Sequence, residues 1–486
     1  MSKKAEVNDA GSTGSSSGSL YDQDRVILER LGYKQSLDRS LSAFNNFGVT
    51  FSCCSILAGL TPLYGDALQS GGPMTVIWGT FLYADGGPVT GRDLFGVPDI
   101  WRTVCVDDST LLGGLGAHCF LDCRIHQLAW TVAIASTDLA MAQFLASLIS
   151  MTSSYIPNTY VIFAIYVCIL LLHGVVNSMT VRLNGLFNNV SVLAMTPERQ
   201  SAEFVFTAWI NNTGWSSSFY VFMLGLLQSQ YTLSGYDSAA HMAEETQNAS
   251  TGGPMGIIMA IVTASCVGWV FLVGMTFSIS SFENQIVSPE VGVALSQIFL
   301  DSCGLGVAIF LILIILGAQF FCGSALTLAS SRMVYAFARD GALPMSKRLH
   351  KLNKEKSPVA AVWFNIAFCF ILGLPYIWSE TAYSAIVSVN TIASSISYLI
   401  PILCRIILAR STFEPGPFNL GRYSTFVGVI SSGWIVVTSA LFLCPTEFPV
   451  TASNMNYAAV PFLLVIGFEI GFPEREEEEK QSHSRH

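Results

Sequence analysis

An apolar stretch, Ser218 to Ala240, runs into Ser229-Gln-Tyr-Thr-Leu-Ser-Gly-Tyr-Asp-Ser-Ala-Ala-His-Met-Ala-Glu-Glu-Thr246. Ser234-Gly235 weakens any helix at that point, and Asp237, His241, Glu244 and Glu245 follow it closely. A soluble core gains nothing from such a pattern. In lipid, a glycine interruption frees backbone N–H and C=O groups, which are tolerated only where they line a cavity or bind something. The segment therefore reads as an interior binding site within a membrane helix bundle.

Composition agrees with lipid as the solvent. Of 486 residues, 51% are apolar and only 12% charged, against about a quarter charged in soluble domains; mean hydropathy is +0.52. Several segments approach or exceed the ~20 apolar residues needed to cross a hydrocarbon core. They lie near Leu41 to Leu60, Leu128 to Ser150, Tyr160 to Val176, Ser218 to Ala240, Gly256 to Ser278 and Gly304 to Ala329. Val359 to Ile377, Tyr383 to Leu408, Phe426 to Leu443 and Tyr457 to Ile470 follow, with shorter candidates at Pro73 to Tyr83 and Leu183 to Met195. The total is about a dozen.

Basic residues in short loops set orientation, because Lys and Arg are retained on the cytoplasmic side. The loop carrying Arg339, Lys347, Arg348, Lys351, Lys354 and Lys356 is the richest, and Arg405, Arg410 and Arg422 recur two spans later. Both loops are expected inside. Counting back puts Lys34 and Arg39 inside as well, and places the Asn211-Asn212-Thr213 sequon on the lumenal or outer face.

The twelve cysteines, Cys53-Cys54 among them, show no metal-ligand spacing and read as small buried residues. No metal, cofactor or disulfide framework is assigned. Net charge is −9, part of it in the acidic run Glu474 to Glu479, which argues against nucleic acid as a partner. The chain lacks a Gly-Lys-Ser/Thr phosphate loop, a His-Glu-x-x-His helix and a Gly-x-Ser-x-Gly elbow, so ATP-driven pumping and hydrolysis lack their usual chemistry. It is not expected to be an enzyme.

Several linked motifs carry a family resemblance. These are Leu31-Gly-Tyr33 before Ser40-Leu41, the Ser234 to Thr246 run, Gly253-Pro-Met-Gly-Ile257, Ser331-Arg-Met-Val-Tyr-Ala-Phe-Ala-Arg-Asp-Gly-Ala-Leu-Pro344 and Phe413-Glu-Pro-Gly-Pro-Phe418. Together they resemble amino-acid permeases of the amino acid, polyamine and organocation superfamily, in the branch that carries 4-aminobutyrate, other amino acids or choline. The resemblance implies an all-α, multi-pass bundle of two inverted five-helix repeats plus two C-terminal helices, with the first and sixth spans broken at the membrane midplane. In the first span, Ser55-Ile-Leu-Ala-Gly59 matches the family's Gly-x-Gly break, with Leu57 where the first glycine is common.

A half-helix start offers unpaired N–H groups and a positive dipole end to a carboxylate, while an opposing helix end offers carbonyls to an ammonium. On that logic Ser55, Leu57, Ala58 and Gly59 face the substrate carboxylate, and Tyr231, Ser234, Gly235 and Tyr236 form the opposite surface. Ordinary packing is the competing reading for both tyrosines. Asp237 attracts the amine or a coupling proton, or is a carboxylate bonded to a neighbouring helix. Glu244 and Glu245, paired with Arg332 or Arg339, form a gate or begin a solvated loop. His241 reads as structural. Ser324, Thr327, Ser330 and Ser331 lie where sodium-coupled relatives hold an ion, although hydroxyls also bond helix carbonyls.

The chain divides into a disordered arm (1–30), the helical bundle (31–470) and an acidic tail (471–486). Within the bundle, residues 84–127 are atypical: Asp85, Arg92, Asp93, Asp99, Arg102, Asp107, Asp108, Asp122 and Arg124 interrupt every window. Burying one such charge mid-bilayer costs about 2.5–3.5 kcal/mol on insertion scales. The second helix therefore reads as truncated, as does the fifth, which meets Pro197-Glu198 early. The resulting expectation is a secondary transporter for an amino acid or amine, working by proton coupling or by facilitated exchange, in the plasma membrane or an endomembrane such as the vacuole or Golgi. A transport-inactive relative or truncated isoform, acting as receptor or assembly partner, is the alternative.

Overall fold

The computed structural model describes residues 42–81, 115–179 and 200–460, apart from 154, 243–245, 247–248, 340–342, 344, 354–356, 380, 409–420 and 452–453. The N-terminal arm, most of the atypical polar segment, the fifth span and the acidic tail lie outside the described residues. So do Glu244, Glu245 and most of the last span.

Ser42 caps the first helix, α1 (Ala43–Cys53), by accepting the N–H of Asn45. The helix stops at Cys54 (φ −81°, ψ 37°). Ser55 then turns extended (φ −60°, ψ 117°), and its Oγ accepts the N–H of Ala58 at 3.3 Å, starting α2 (Ile56–Leu60). Serine is a good N-cap because its side chain satisfies a donor with no partner inside the helix. A third short helix, α3 (Tyr64–Gln69), and a helical stretch at residues 72–81 complete the N-terminal region.

The long helix α4 (Leu115–Thr152) is followed by α5 (Thr159–Met179). Residues 115–127, assigned by their charges to the polar segment, are thus the first turns of α4. Half-buried Arg124 marks where the apolar part begins. The sixth span is not one rod. It consists of α6 (Ser218–Gly225), α7 (Leu227–Thr232), a break, and α8 (Ser238–His241). Then come α9 (Ala249–Phe277), α10 (Ala294–Arg339), α11 (Val359–Gly373), α12 (Thr381–Leu403) and α13 (Ser424–Phe442). Gly304 (φ 74°, ψ 166°) divides α10 into two pieces, a conformation open to glycine because it has no Cβ.

Among the described residues, seven helices are long and apolar enough to span a bilayer, and no β-sheet forms. The chain is an all-α, multi-pass membrane bundle. Large apolar side chains such as Phe310, Leu313, Val429 and Val436 stay exposed, as lipid-facing positions require. Because lipid is as apolar as leucine, helix association here depends on close packing and interior hydrogen bonds. Gly373 lies under the Tyr166 ring and Gly174 against Trp363. Tyr166 donates to the Cys369 carbonyl at 2.6 Å, joining α5 to α11.

At the centre, α4 packs against both α10 and α12. A fully buried pair ties α4, α5 and α10 together: His173 Nδ1 lies 3.1 Å from Asp138 Oδ2, and its Nε2 lies 3.0 Å from the Phe320 carbonyl. Gly323 makes room, since a Cβ there would collide with both Asp138 and His173.

Candidate functional site

The two interrupted spans meet. Cys54 Sγ donates to the Ser234 carbonyl at 3.4 Å, and Gln228 Nε2 donates to the Leu60 carbonyl at 2.8 Å. Gly59 lies so close to α7 that an added Cβ would stand 2.7 Å from Thr232 Cα. The glycine therefore sets how closely the half-helices approach. Gly235 has φ +79°, in the left-handed region, and it ends α7 and redirects the chain into α8.

Between the breaks lies a small, partly enclosed cavity with a free volume of about 30 Å³, room for about two waters. A ligand the size of an amino acid enters only when its walls move. The structure brings Ser55, Ala58, Gly59, Tyr231, Ser234 and Gly235 to that cavity. Leu57 turns instead into the apolar packing beside Ile56 and Leu60, and Tyr236 packs against Tyr398 at a ring separation of 5.0 Å. Neither residue lines the cavity. Tyr231 has a polar partner as well, its hydroxyl lying 2.9 Å from Ser136 Oγ.

Asp237 also stands back from the cavity, 2% exposed, behind two of its wall residues. Trp130 Nε1 donates to its Oδ2 at 3.1 Å and Tyr398 donates to its Oδ1 at 2.7 Å. The carboxylate is therefore bonded to neighbouring helices α4 and α12, and it can sense the cavity only through these two rings. His241 and His126 each place Nε2 2.9 Å from the same Oδ2. His241 is thus part of a polar cluster, beyond the structural role expected for it.

The proposed gate is half visible. Arg332 is buried, its Nη1 donating to Ser331 Oγ at 3.1 Å, and Arg339 lies 5.9 Å from the Tyr335 ring centre. Glu244 and Glu245 fall outside the described residues. Of the α10 hydroxyls, Thr327 donates to the Gly323 carbonyl and Ser331 to the Leu328 carbonyl, bonding within their own helix. Ser324 Oγ accepts from Asn177, and Ser330 Oγ accepts from Asn365.

Sequence reasoning missed Cys53, Trp130, Thr137, Cys322, Asn390 and Ser394, which also line the cavity. Trp130 and Thr137 were findable in principle. They sit seven residues apart on α4, two helical turns on one face. The others carry no local signal.

Two fractured helices enclosing a central cavity in an all-helical membrane bundle define a carrier of the broken-helix class. Comparison with known proteins is more specific. A family model described as amino acid permease matches residues 125–468. The chain is 36% identical to the amino-acid permease BAT1 homolog of Oryza sativa subsp. japonica, covering 94% of this chain and 96% of that one. It is 34% identical to the amino-acid permease BAT1 of Arabidopsis thaliana, covering 93% and 94%. It is also 27% identical to the GABA-specific permease of Saccharomyces cerevisiae, covering 90% and 81%. The chain belongs to the amino acid permease family. It is an integral membrane transporter and not an enzyme.

Proposed function

We propose that the chain is a secondary active transporter that carries a small amino acid or related amine, such as 4-aminobutyrate, by alternating access. The observation that carries this reading is the shared cavity: residues from both breaks, Ser55, Ala58 and Gly59 from the first and Tyr231, Thr232, Ser234 and Gly235 from the second, face one space. The turn at Ser55 offers hydroxyl and N–H donors to a carboxylate. The end of α7 offers carbonyls to an ammonium. Two relatives named as amino-acid permeases and one named as GABA-specific support the substrate class.

Asp237, held by the cavity residues Trp130 and Tyr398, is the proposed carrier of a coupled proton. Arg332 and Arg339, with Glu244 and Glu245, are the proposed cytoplasmic gate. The membrane is the plasma membrane or an endomembrane.

Counterflow in proteoliposomes tests the proposal. Vesicles loaded with unlabelled 4-aminobutyrate, glutamate, arginine or choline are presented with trace labelled substrate. Transient accumulation for at least one compound is the expected result. Saturable binding without flux would make the chain a transport-inactive relative, and flux without counterflow would make it a channel.

A further inference from the structure

Three atoms in the cluster beside the cavity form a nearly equilateral triangle. His126 Nε2, His241 Nε2 and Asp237 Oδ2 are each 2.9 Å from the other two. The residues come from different elements: His126 from α4, Asp237 from the break before α8, and His241 from α8. His126 and His241 keep 13% and 16% of their side chains exposed, while Asp237 keeps 2%. The two imidazoles are thus partly accessible, while the carboxylate is buried.

The hydrogen bonding around it fixes what the triangle lacks. Ser397 Oγ donates to the Ser394 carbonyl at 2.8 Å, so it accepts from His126 Nδ1, 2.7 Å away. That places the neutral ring's proton on Nδ1 and turns a lone pair at Nε2 toward the carboxylate oxygen and the second imidazole. A donated proton or a metal ion must therefore stand among the three atoms. A proton lies along one edge and satisfies two of the three atoms. A metal ion satisfies all three.

The dimensions suit a metal. With ligand bonds of about 2.0–2.1 Å, typical of imidazole and carboxylate on zinc, separations of 2.9 Å correspond to ligand–metal–ligand angles of about 90°. Such an ion would sit about 1.2 Å out of the ligand plane. Two histidines and one carboxylate at right angles are a facial set, leaving further positions for water. The outer contacts are those a metal site needs. Ser397 orients His126, while Trp130 at 3.1 Å and Tyr398 at 2.7 Å hold the carboxylate.

We propose that His126, Asp237 and His241 form a binding site for a divalent transition-metal ion of the imidazole-preferring class, with Zn²⁺ as the probe. An ion there joins α8 to α4, and α4 is part of the packed scaffold. It therefore restrains the second half of the sixth span relative to α4, slows exchange, and competes with any proton on Asp237. The proposal is independent of which substrate is carried.

The test is equilibrium binding to purified, chelator-stripped protein in detergent, with no substrate present. Co²⁺ is titrated while its ligand-field absorption is followed, and Zn²⁺ is then used to displace it. One ion per chain is expected. His126→Gln and His241→Gln should each weaken binding at least ~100-fold, and Ser397→Ala, which leaves all three ligands in place, about 10- to 100-fold. A His483→Gln/His486→Gln variant, removing the C-terminal histidines, should bind like the parent. Absence of a saturable component, or binding lost only in the C-terminal variant, overturns the site. Should the two ligand variants fail to fold, Ser397→Ala decides the matter, because parental affinity in that variant also refutes the proposal.

Discussion

The two helix breaks solve one problem by different means. At the first, an ordinary serine does the work: the helix ends at Cys54, and Ser55 restarts it by capping Ala58 at 3.3 Å. No positive φ is needed. At the second, Gly235 takes φ +79° and the loosened chain is gripped from outside, with Trp130 and Tyr398 both donating to Asp237. The first break restarts its helix with its own side chain, although Cys54 and Leu60 also bond the second break. The second depends on α4 and α12, so it can respond when those helices move.

This contrast predicts a graded series of effects. Asp237→Asn should be the most severe, because removing the charge from a buried hydrogen-bonded cluster costs about 3–5 kcal/mol. Uptake should fall at least ~100-fold, a tenfold change being about 1.4 kcal/mol, with a lower unfolding midpoint. Wild-type uptake in that variant would show that the clamp does not hold the second break.

Gly59→Ala comes next. Its Cβ would meet backbone, Thr232 Cα at 2.7 Å, so overpacking costs about 1–3 kcal/mol. Shortening Thr232 to alanine should not rescue it, and rescue in an uptake assay would mean that the half-helices can separate freely. Gly235→Ala has room for its methyl, the nearest atom being Cys53 Cβ at 3.6 Å. Only the left-handed backbone opposes it, at about 1–2 kcal/mol. Gly235→Asn, which tolerates that region better, should recover part of the loss in a parallel measurement.

Ser55→Ala should be the mildest. Loss of the cap costs about 1 kcal/mol of stability, and loss of the Ser55 hydroxyl as a donor to the substrate carboxylate, about 1 kcal/mol, raises KM roughly fivefold. An amine competitor without a carboxylate should inhibit both forms equally. An equal loss of its inhibition would remove Ser55 from carboxylate binding.

The second break was legible because Ser234-Gly-Tyr-Asp237 concentrates a helix breaker and an acid inside an apolar run, a combination lipid tolerates only at an interior site. The first was located only through the family resemblance of Ser55-Ile-Leu-Ala-Gly59 to a Gly-x-Gly break. Contacts spanning long stretches of sequence were not legible. His126 and His241 are 115 residues apart, and the charges preceding His126 made residues 84–127 look unable to enter a membrane bundle. In the structure those last residues are helical, and Arg124 sits where α4 becomes apolar. Helical rotation turns Leu57 into apolar packing, and the bend after Gly235 stacks Tyr236 on Tyr398, so adjacency to the breaks does not put either in the cavity.

The buried Asp138–His173 pair has a consequence for biogenesis. Asp138 emerges from the ribosome 35 residues before His173, so α4 meets the insertion machinery with its carboxyl group unmatched. Leaving such a side chain in hydrocarbon costs about 2.5–3.5 kcal/mol. The α4 segment should therefore be retained beside the translocon until α5 arrives, the two leaving as a hairpin that later closes on Gly323. Nascent chains halted between the two helices should remain crosslinkable to the translocon, whereas Asp138→Leu should release α4 early.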